Sequence, residues 1–240
     1  MARPRVPLLS RERIRDAALE LIDRDGLGEL SMRKLAAELG VQAASLYGHY
    51  PTKDDLLDDI AGGIMARVDT SGFDAPGWRT GLMSWARSYR AALVRHPNFV
   101  PYLAAGPGRR EENLRHADAV HGGLVRAGWP PRQATMIGAA TRYVVMGSTI
   151  GSFSRGFVDD VQVYRDRYPH LEQAHLLRAK ADEIDAESFE LALESFVDGL
   201  QTRFATITRR RAPRRGQGGG GGCPPPRGRG PGPGGLGGFG

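Results

Sequence analysis

The sequence predicts an all-α fold. Apolar residues recur at spacings of three and four along most of the 240 residues, which is the period of an amphipathic helix. Serine or threonine precedes several of these runs and glycine follows them, as expected at helix ends. Strand-like alternation is scarce and no Asn-Gly hairpin turn occurs, so no sheet is expected.

Residues 1–53 are predicted to form three short helices that make a helix-turn-helix domain. Ser10 and Ser31 stand where the N-caps of the first two helices are expected, and Gly40 ends the second helix. Gly40 and the single residue after it form the turn, in which the glycine permits a sharp reversal. The predicted helices cover about residues 10–25, 31–39 and 42–50.

Residues 54–208 are predicted to form a larger helical domain. Thr52 can cap its first helix, with Asp54 and Asp55 in the turn where carboxylates favour the helix dipole. The helix that follows Pro131 is unusually apolar. The predicted helices cover about residues 52–67, 78–96, 109–127, 136–153 and 185–207, with a weaker charged helix within 164–182.

The tail, residues 209–240, is rich in Gly, Pro and Arg and is predicted to be disordered, because it has few apolar side chains to bury. The chain has 33 basic and 27 acidic residues and a net charge of +6. Seven arginines and no acidic residue lie in the tail, which leaves 26 basic and 27 acidic side chains in residues 1–208. The basic charge therefore says nothing about nucleic-acid binding by the folded body.

Cys223 is the only cysteine and lies in the tail, so no disulfide can form within the chain. This fits a reducing cytoplasm. The N-terminal residues contain no apolar run long enough for a signal peptide or a membrane span. The chain is therefore expected to be cytoplasmic, with no membrane partner.

The segment ELSMRKLAAELGVQAASLYGHYPTKDDLL resembles the DNA-binding segment of the tetracycline-repressor (TetR) family. The matching residues are Ser31, Arg33-Lys34, Leu35-Ala36, Leu39-Gly40-Val41, Leu46-Tyr47, His49-Tyr50, Lys53 and Leu56-Leu57. The resemblance is close over about residues 9–65, whereas the later helices match mainly in their lengths. It implies an N-terminal helix-turn-helix DNA-binding domain joined to a helical ligand-binding and dimerisation domain.

The third helix has small residues at its start, so it can lie deep in the major groove of double-stranded DNA. Arg33 can contact a base or a phosphate. Four polar residues in or after the third helix suit phosphates, which fix the register but carry no sequence information. The predicted DNA-binding residues are Arg33, Gln42, Ala43, Ala44, Ser45, Tyr47, His49 and Lys53.

Several of these residues also have a simpler interpretation. Tyr47 and Tyr50 could both be core aromatics, which is the better interpretation of Tyr50. His49 alone would be an ordinary surface histidine, and Lys53 alone would be a solvated charge. Their joint spacing favours the functional interpretation.

Ala43 and Ala44 depart from the family pattern, because many relatives have a large polar residue at the early positions of the third helix. An alanine side chain can contact a thymine methyl but cannot form a hydrogen bond. Few direct base hydrogen bonds are therefore expected, mainly from Arg33, Gln42 and Tyr47.

Two late helices have apolar faces that could be either ordinary core or an assembly surface. A helix that is apolar on nearly every side needs more partners than one small domain supplies. The resemblance implies that these helices form a four-helix interface in a homodimer, which would read a near-palindromic operator. The predicted interface residues are Ile137, Val144, Ser148, Phe189, Leu193, Phe196 and Leu200.

Aromatic residues lie on the predicted helices around the centre of the larger domain. Each alone is most simply core, but as a set they suit an apolar cavity with a few polar groups. The resemblance places Trp85 and Tyr89 where relatives line an effector pocket, so a largely apolar small-molecule effector is expected. The predicted pocket residues are Trp85, Tyr89, Tyr102, Leu103, Tyr143 and Met146.

No cofactor or metal site is predicted. The histidines show no metal-ligand spacing such as HExxH. Tetracycline-type members of the family hold a magnesium chelate with a histidine near the position of Tyr102 and Leu103, where this chain has none. A metal-bound tetracycline is therefore not the expected effector.

Together these features predict a ligand-responsive transcriptional repressor, whose fourth helix transmits the effector's signal to the DNA-binding domain. An activator of the same fold is the alternative. A non-specific nucleic-acid binder is a second alternative, since Arg/Gly segments such as the tail bind RNA or DNA weakly. An enzyme is disfavoured, because the chain has no GxSxG motif, Walker loop or paired cysteines.

Overall fold

The computed structural model describes residues 9–74, 77–105, 111–165 and 167–211, and within these ranges every regular element is helical. The predicted all-α fold is confirmed. The α-helices are α1 Arg11–Asp25, α2 Met32–Leu39, α3 Ala43–Tyr47, α4 Lys53–Met65, α5 Trp78–Val94, α6 Val100–Ala104, α7 Glu111–Arg126, α8 Pro131–Gly147, α9 Gln162–Arg165 and α10 Ala181–Arg211. No helix of the described residues is long and apolar enough to cross a membrane.

The first two helices begin and end at their predicted capping residues. The hydroxyl oxygens of Ser10 and Ser31 each accept a hydrogen bond, 3.2 Å long, from the backbone N–H three residues later. Gly40 ends α2 in the left-handed conformation, with φ 66°. The N–H of Val41 then donates to the carbonyl of Ala36 at 3.0 Å, which closes the end of the helix and turns the chain towards α3.

The third helix is shorter than predicted. It covers Ala43–Tyr47, whereas the sequence predicts residues 42–50. Gly48 follows it directly and is a weak helix former. Pro51 disfavours helical backbone at the residue before it. These two residues account for the early end of the helix.

α4 connects the helix-turn-helix domain to the rest of the chain. At its start the hydroxyl oxygen of Thr52 accepts from the N–H of Asp55 at 3.1 Å, and the Asp55 carboxylate accepts from the N–H of Thr52 at 2.9 Å. α4 packs against α1 of the first domain and against α5 and α7 of the second. One apolar core therefore runs through both parts of the chain, as shown by the fully buried Ile14, Leu46, Leu56, Leu82 and Leu193.

The region after α7 differs most from the predicted helices. α8 ends at Gly147 and not near residue 153, because Gly147, Ser148 and Thr149 are weak helix formers. Within residues 164–182 the predicted charged helix is replaced by the end of α9 and by short 3-10 turns. Pro169 interrupts this stretch, which also has few apolar side chains to pack.

α10 is longer than predicted. It begins at Ala181 and continues to Arg211, so residues 209–211 belong to this helix and not to a disordered tail. The first strong helix breaker after the apolar part of α10 is Pro213, which explains the extension. The remainder of the predicted tail, residues 212–240, lies outside the described residues.

Candidate DNA-binding surface and ligand cavity

The predicted DNA-binding residues lie on α2, α3 and the turn before α4, and most of them are exposed. Arg33, Gln42, Ala44, Ser45 and Tyr47 are exposed, whereas Ala43, His49 and Lys53 are half-buried. We call these eight residues the reading surface. Their exposure leaves most of the side chains accessible to a partner.

Arg33 and Lys34 are neighbours on α2 but have different surroundings. The Lys34 Nζ lies 3.0 Å from the Asp25 carboxylate and 3.4 Å from that of Glu29, and the bond to Asp25 raises the pKa of Lys34. The exposed Arg33 has no ion pair or hydrogen bond within the described part of the chain. Lys34 thus ties α2 to α1, while Arg33 keeps its donors for another molecule.

The two tyrosines of the motif have opposite environments. Tyr47 is 50% exposed, whereas Tyr50 is fully buried, so the core interpretation holds only for Tyr50. The Tyr50 hydroxyl donates to the Arg11 carbonyl at 3.1 Å and to the Asp59 carboxylate. Burial, and then the bond to Asp59, raise the pKa of Tyr50 to about 12. Tyr50 therefore anchors the end of the motif to α1 and α4, while Tyr47 stays accessible.

Lys53 and His49 are each partly engaged within the chain. The Lys53 Nζ donates to the Leu30 carbonyl at 2.6 Å, and the His49 carbonyl accepts from Arg11 Nη1 at 3.1 Å. An ammonium group has three donors, so Lys53 retains two. The His49 imidazole makes no hydrogen bond to any residue the structure describes. Both side chains therefore keep polar groups that suit a phosphate.

A cavity of about 600 Å³ lies among α4, α5, α6, α7 and α8. This volume is typical of small-molecule sites. Its apolar and aromatic wall includes Met65, Trp85, Tyr89, Leu103 and Val120. Its polar lining residues are Asn113, His116, Asp118, His121, Thr135 and Arg142. The cavity can therefore hold an apolar molecule and offer it a few hydrogen bonds.

Half of the predicted pocket residues line this cavity: Trp85, Tyr89 and Leu103 do so, whereas Tyr102, Tyr143 and Met146 do not. Tyr143 follows the cavity-lining Arg142 on α8 but is itself 70% exposed outside the cavity. Met146 is buried in the core one turn beyond Arg142. Tyr102 is directed to α4, where its hydroxyl donates to Asp58 at 3.0 Å. These three residues are therefore not part of the cavity wall.

The cavity-lining face of α7 is absent from the predicted pocket residues, and on α8 the cavity is lined by residues other than the predicted Tyr143 and Met146. Residues 113, 116, 117, 120 and 121 form one face of α7, and 134, 135, 138, 139 and 142 form one face of α8. This spacing is visible in the sequence. It does not show that the two faces border a cavity, and no local signal marks Arg142 or His116.

Two buried nitrogen atoms of cavity-lining residues, Trp85 Nε1 and His116 Nδ1, have no hydrogen-bond partner among the described residues. Burial lowers the pKa of His116, with a smaller opposing effect of Glu112. The imidazole is therefore neutral at pH 7. Nowhere in the described ranges do three or more His, Cys, Asp or Glu side chains form a group that could hold a metal ion.

Four predicted interface residues are buried in the core of their own chain: Ile137, Phe189, Leu193 and Leu200. They belong to the core of the chain, where α8 and α10 pack against each other, and their contact with a second copy stays a prediction. The other three, Val144, Ser148 and Phe196, are half-buried.

Exposed residues next to these positions form a continuous face on each helix. Met136, Tyr143 and Ile150 recur every seven residues on α8 and just beyond it, and all are more than half exposed. We call this face and its counterpart on α10 the exposed stripe, which comprises Met136, Tyr143, Gly147, Ile150, Leu191, Ala192, Ser195 and Gly199. α8 and α10 pack against each other, so the two halves of the stripe lie on adjacent helices.

Residues 96–104, which we call the linking segment, bind the last turn of α1. The Asn98 amide donates to the carbonyls of Ile22 and Asp23 at 3.1 and 2.9 Å. The His96 Nδ1 lies 2.7 Å from the Asp23 carboxylate. These bonds attach the linking segment directly to the helix-turn-helix domain.

The linking segment also contacts α4 and borders the cavity. Tyr102 donates to Asp58 of α4, and the next residue, Leu103, forms part of the cavity wall. From α8, the Arg142 Nη2 donates to the carbonyl of Leu103 at 2.8 Å and to that of Ala104 at 3.5 Å. The cavity, α1 and α4 therefore meet at one short stretch of chain.

Comparison with known proteins agrees with this architecture. Residues 14–60 match the family model of bacterial regulatory proteins, tetR family, and residues 74–204 match that of the tetracyclin repressor-like C-terminal domain. The chain is similar to an HTH-type transcriptional regulator of Saccharopolyspora erythraea, with 36% identity over 142 residues. The match covers 59% of this chain and 60% of the other protein, which is less than two thirds of that protein's length.

Two further relatives match over more of their length. Tetracycline repressor protein class A from transposon 1721 of Escherichia coli is 32% identical over 213 residues, which cover 83% of this chain and 94% of that protein. A crystal structure from Streptomyces coelicolor A3(2), described as a possible TetR family transcriptional regulator, superposes with a TM-score of 0.65 at 28% identity. That superposition covers 80% of this chain and 99% of the other.

Proposed function

Since this chain belongs to the TetR family, whose members work as dimers that bind operator DNA and small-molecule effectors, we propose that it is a repressor released from a near-palindromic operator by a largely apolar effector in the cavity. It acts in the cytoplasm, as a regulator and not as an enzyme. The observation that carries the proposal is the linking segment, because it borders the cavity and is bonded to both α1 and α4.

The reading surface enters the major groove with α3 foremost. Ala43 and Ala44 allow α3 to approach the base edges closely, and the unpaired Arg33 supplies the strongest base or phosphate contact. Tyr47 and Lys53 contact the backbone, where contacts fix the register. With so few polar side chains at the start of α3, phosphate contacts and half-site spacing carry much of the selectivity.

A second copy of the chain covers the exposed stripe. The stripe combines large apolar residues such as Met136 and Tyr143 with small ones such as Gly147 and Gly199, which allow helices to approach closely. α8 and α10 of two copies then form a four-helix interface around a two-fold axis. The two reading surfaces lie on the same side of such a dimer and match two half-sites.

An effector that occupies the cavity displaces α6, because Leu103 is part of the cavity wall. Displacement of α6 moves Asn98 and Tyr102, and with them their partners on α1 and α4. The two reading surfaces of the dimer then no longer match the half-site spacing. A coupling of about 1–3 kcal/mol, typical of allosteric proteins, lowers operator affinity by about 5- to 150-fold.

Selection of an operator from random duplex DNA, with the full chain as bait, tests the proposal. The expected product is a near-palindrome whose half-sites lie about one helical turn apart. A gel shift on that operator then serves to screen apolar small molecules for release of the complex. Failure to enrich any sequence at low salt contradicts the proposal.

A chain that ends at Arg211 separates this function from non-specific binding through the tail. We expect it to bind the selected operator with the same half-site preference as the full chain, because the reading surface is intact. Loss of sequence-selective binding in this variant would instead identify the tail as the main DNA-binding element.

A further inference from the structure

The charged groups that line the cavity are unevenly distributed. Arg142 is half-buried on the cavity face of α8, and it has no carboxylate partner among the residues described. Asp118, the lining carboxylate, is exposed to solvent, which screens its charge. The buried His116 is held neutral, since burial lowers its pKa. Arg142 is therefore the dominant charge that an occupant of the cavity meets.

The present partners of Arg142 are weak ones for a guanidinium group. Its Nη2 donates to the neutral carbonyls of Leu103 and Ala104 at the C-terminal end of α6, and the Leu103 carbonyl also accepts from the N–H of Ala105. A carboxylate or phenolate oxygen is a stronger acceptor for arginine than a neutral carbonyl. Apolar walls strengthen such a bond further by excluding water.

We propose that the effector of this chain is an apolar ring system that carries an acidic oxygen, and that Arg142 binds this oxygen. The inference rests on the proposed function, because it names the chemical class of the molecule that occupies the same cavity. The acidic oxygen competes with the carbonyls of Leu103 and Ala104 for the guanidinium group. The end of α6 then loses hydrogen bonds, which loosens the linking segment at the point closest to the ligand.

A pair of probes with the same shape tests the class. Anthracene-9-carboxylate and anthracene-9-carboxamide both fit a cavity of about 600 Å³, and only the first carries a charge. Binding of each to the full chain is measured by equilibrium dialysis at pH 7.5. We expect the carboxylate to bind at least about tenfold more tightly than the carboxamide, as charge-assisted hydrogen bonds to arginine require.

Two substitutions assign that preference to Arg142. Arg142→Gln is expected to weaken carboxylate binding at least about tenfold and carboxamide binding less than about threefold, and Arg142→Lys to give an intermediate loss. Arg132→Gln is the matched control, because Arg132 is an exposed arginine of α8 outside the cavity. It should leave both affinities unchanged. Circular dichroism verifies that each variant is folded.

Three outcomes overturn the inference: equal binding of the two probes by the unmodified chain, no binding of either at millimolar concentration, or an undiminished carboxylate preference in Arg142→Gln. The comparison of probes needs no variant, so it stands even if Arg142→Gln does not fold. A gel shift in parallel separates this inference from the proposed function. Operator binding without carboxylate preference rejects the ligand class alone, whereas carboxylate preference without operator binding rejects the repressor.

Discussion

The buried Tyr50 of the DNA-binding end and two buried residues of the cavity wall differ in whether their polar atoms are paired. At the DNA-binding end the Tyr50 hydroxyl has two partners, the Arg11 carbonyl and the Asp59 carboxylate. Around the cavity, Trp85 Nε1 and His116 Nδ1 have none within the described ranges. An unpaired buried polar group costs about 1–3 kcal/mol, so each of these two nitrogens opposes folding while Tyr50 does not.

This difference corresponds to what each region has to do. A DNA-binding surface must keep its shape before it meets the double helix, because α3 has only five residues and cannot hold itself in place. A cavity that responds to a ligand benefits from polar groups that a ligand can satisfy, since these groups favour the occupied state. The four predictions below concern the dimer, the DNA-binding end and the cavity, from the largest expected effect to the smallest.

Tyr143→Arg is expected to have the largest effect, because it places a charge in the exposed stripe of both copies. The dimer should dissociate into monomers in sedimentation velocity. Operator affinity should fall by about a hundredfold or more, since the DNA-binding domain of one monomer contacts few base pairs. Leu114→Arg is the control, because it introduces the same charge at an exposed leucine of α7 outside the stripe. This variant should remain dimeric. A dimeric Tyr143→Arg would show that the interface lies elsewhere.

Tyr47→Ala is expected to weaken operator binding about ten- to a hundredfold without changing the melting temperature, because Tyr47 is exposed and Leu46, not Tyr47, packs into the core. A gel-shift titration and a thermal melt measure the two quantities. Tyr168→Ala is the matched control, since Tyr168 is 49% exposed against 50% for Tyr47. Equal operator affinities of these two variants would remove Tyr47 from the reading surface.

Tyr50→Phe is expected to lower the free energy of unfolding by about 1–3 kcal/mol, because it leaves Asp59 and the Arg11 carbonyl without their donor. Urea denaturation measures this change. Tyr102→Phe removes a hydroxyl that donates to an exposed carboxylate, and should cost less than about 1 kcal/mol. If the two costs are equal, Tyr50 is not the anchor of the reading surface.

His116→Leu is expected to raise the free energy of unfolding at pH 7.5 by about 1–3 kcal/mol, because it removes a buried nitrogen that has no partner among the described residues, and to alter the pH dependence of stability. Burial lowers the pKa of His116 in the folded state, so below about pH 6.5 the unfolded chain binds a proton that the folded chain does not. The unmodified chain therefore loses stability as the pH falls below that value, by at most about 1.4 kcal/mol per pH unit.

Urea denaturation between pH 7.5 and pH 5 follows this effect. The His116→Leu variant should lose less stability over that range than the unmodified chain. The control is His170→Leu, at an exposed histidine, which should keep the original slope. An unchanged slope in His116→Leu would show that the burial of this imidazole does not contribute to acid destabilisation.

The DNA-binding domain could be predicted well because its signals act over a few residues. Ser31, Gly40 and Thr52 cap helices through bonds to backbone groups at most four residues away, so the sequence around each is sufficient. The end of α3 was predicted too late, although Gly48 and Pro51 were both visible. Two weak effects there add up, and neither alone places the boundary.

The cavity and the interface could be predicted only in part, because they depend on which helices meet. Trp85 and Tyr143 are both aromatic residues on apolar helices, yet one lines the cavity and the other is exposed. Ile137 and Met136 are neighbours, but only Met136 belongs to the exposed stripe. Helical periodicity identifies a face and does not say whether core, ligand or a second copy covers it.

The bonds between the linking segment and α1 have a consequence for exchanging parts between relatives. Asn98 and His96 bind the last turn of α1 through Ile22 and Asp23. The DNA-binding domain therefore depends on residues that follow it by more than forty positions in the sequence. A hybrid regulator that takes only residues 9–53 from this chain would separate these partners. Residues 96–98 should be transferred together with the DNA-binding domain if ligand binding is to change the operator affinity of the hybrid.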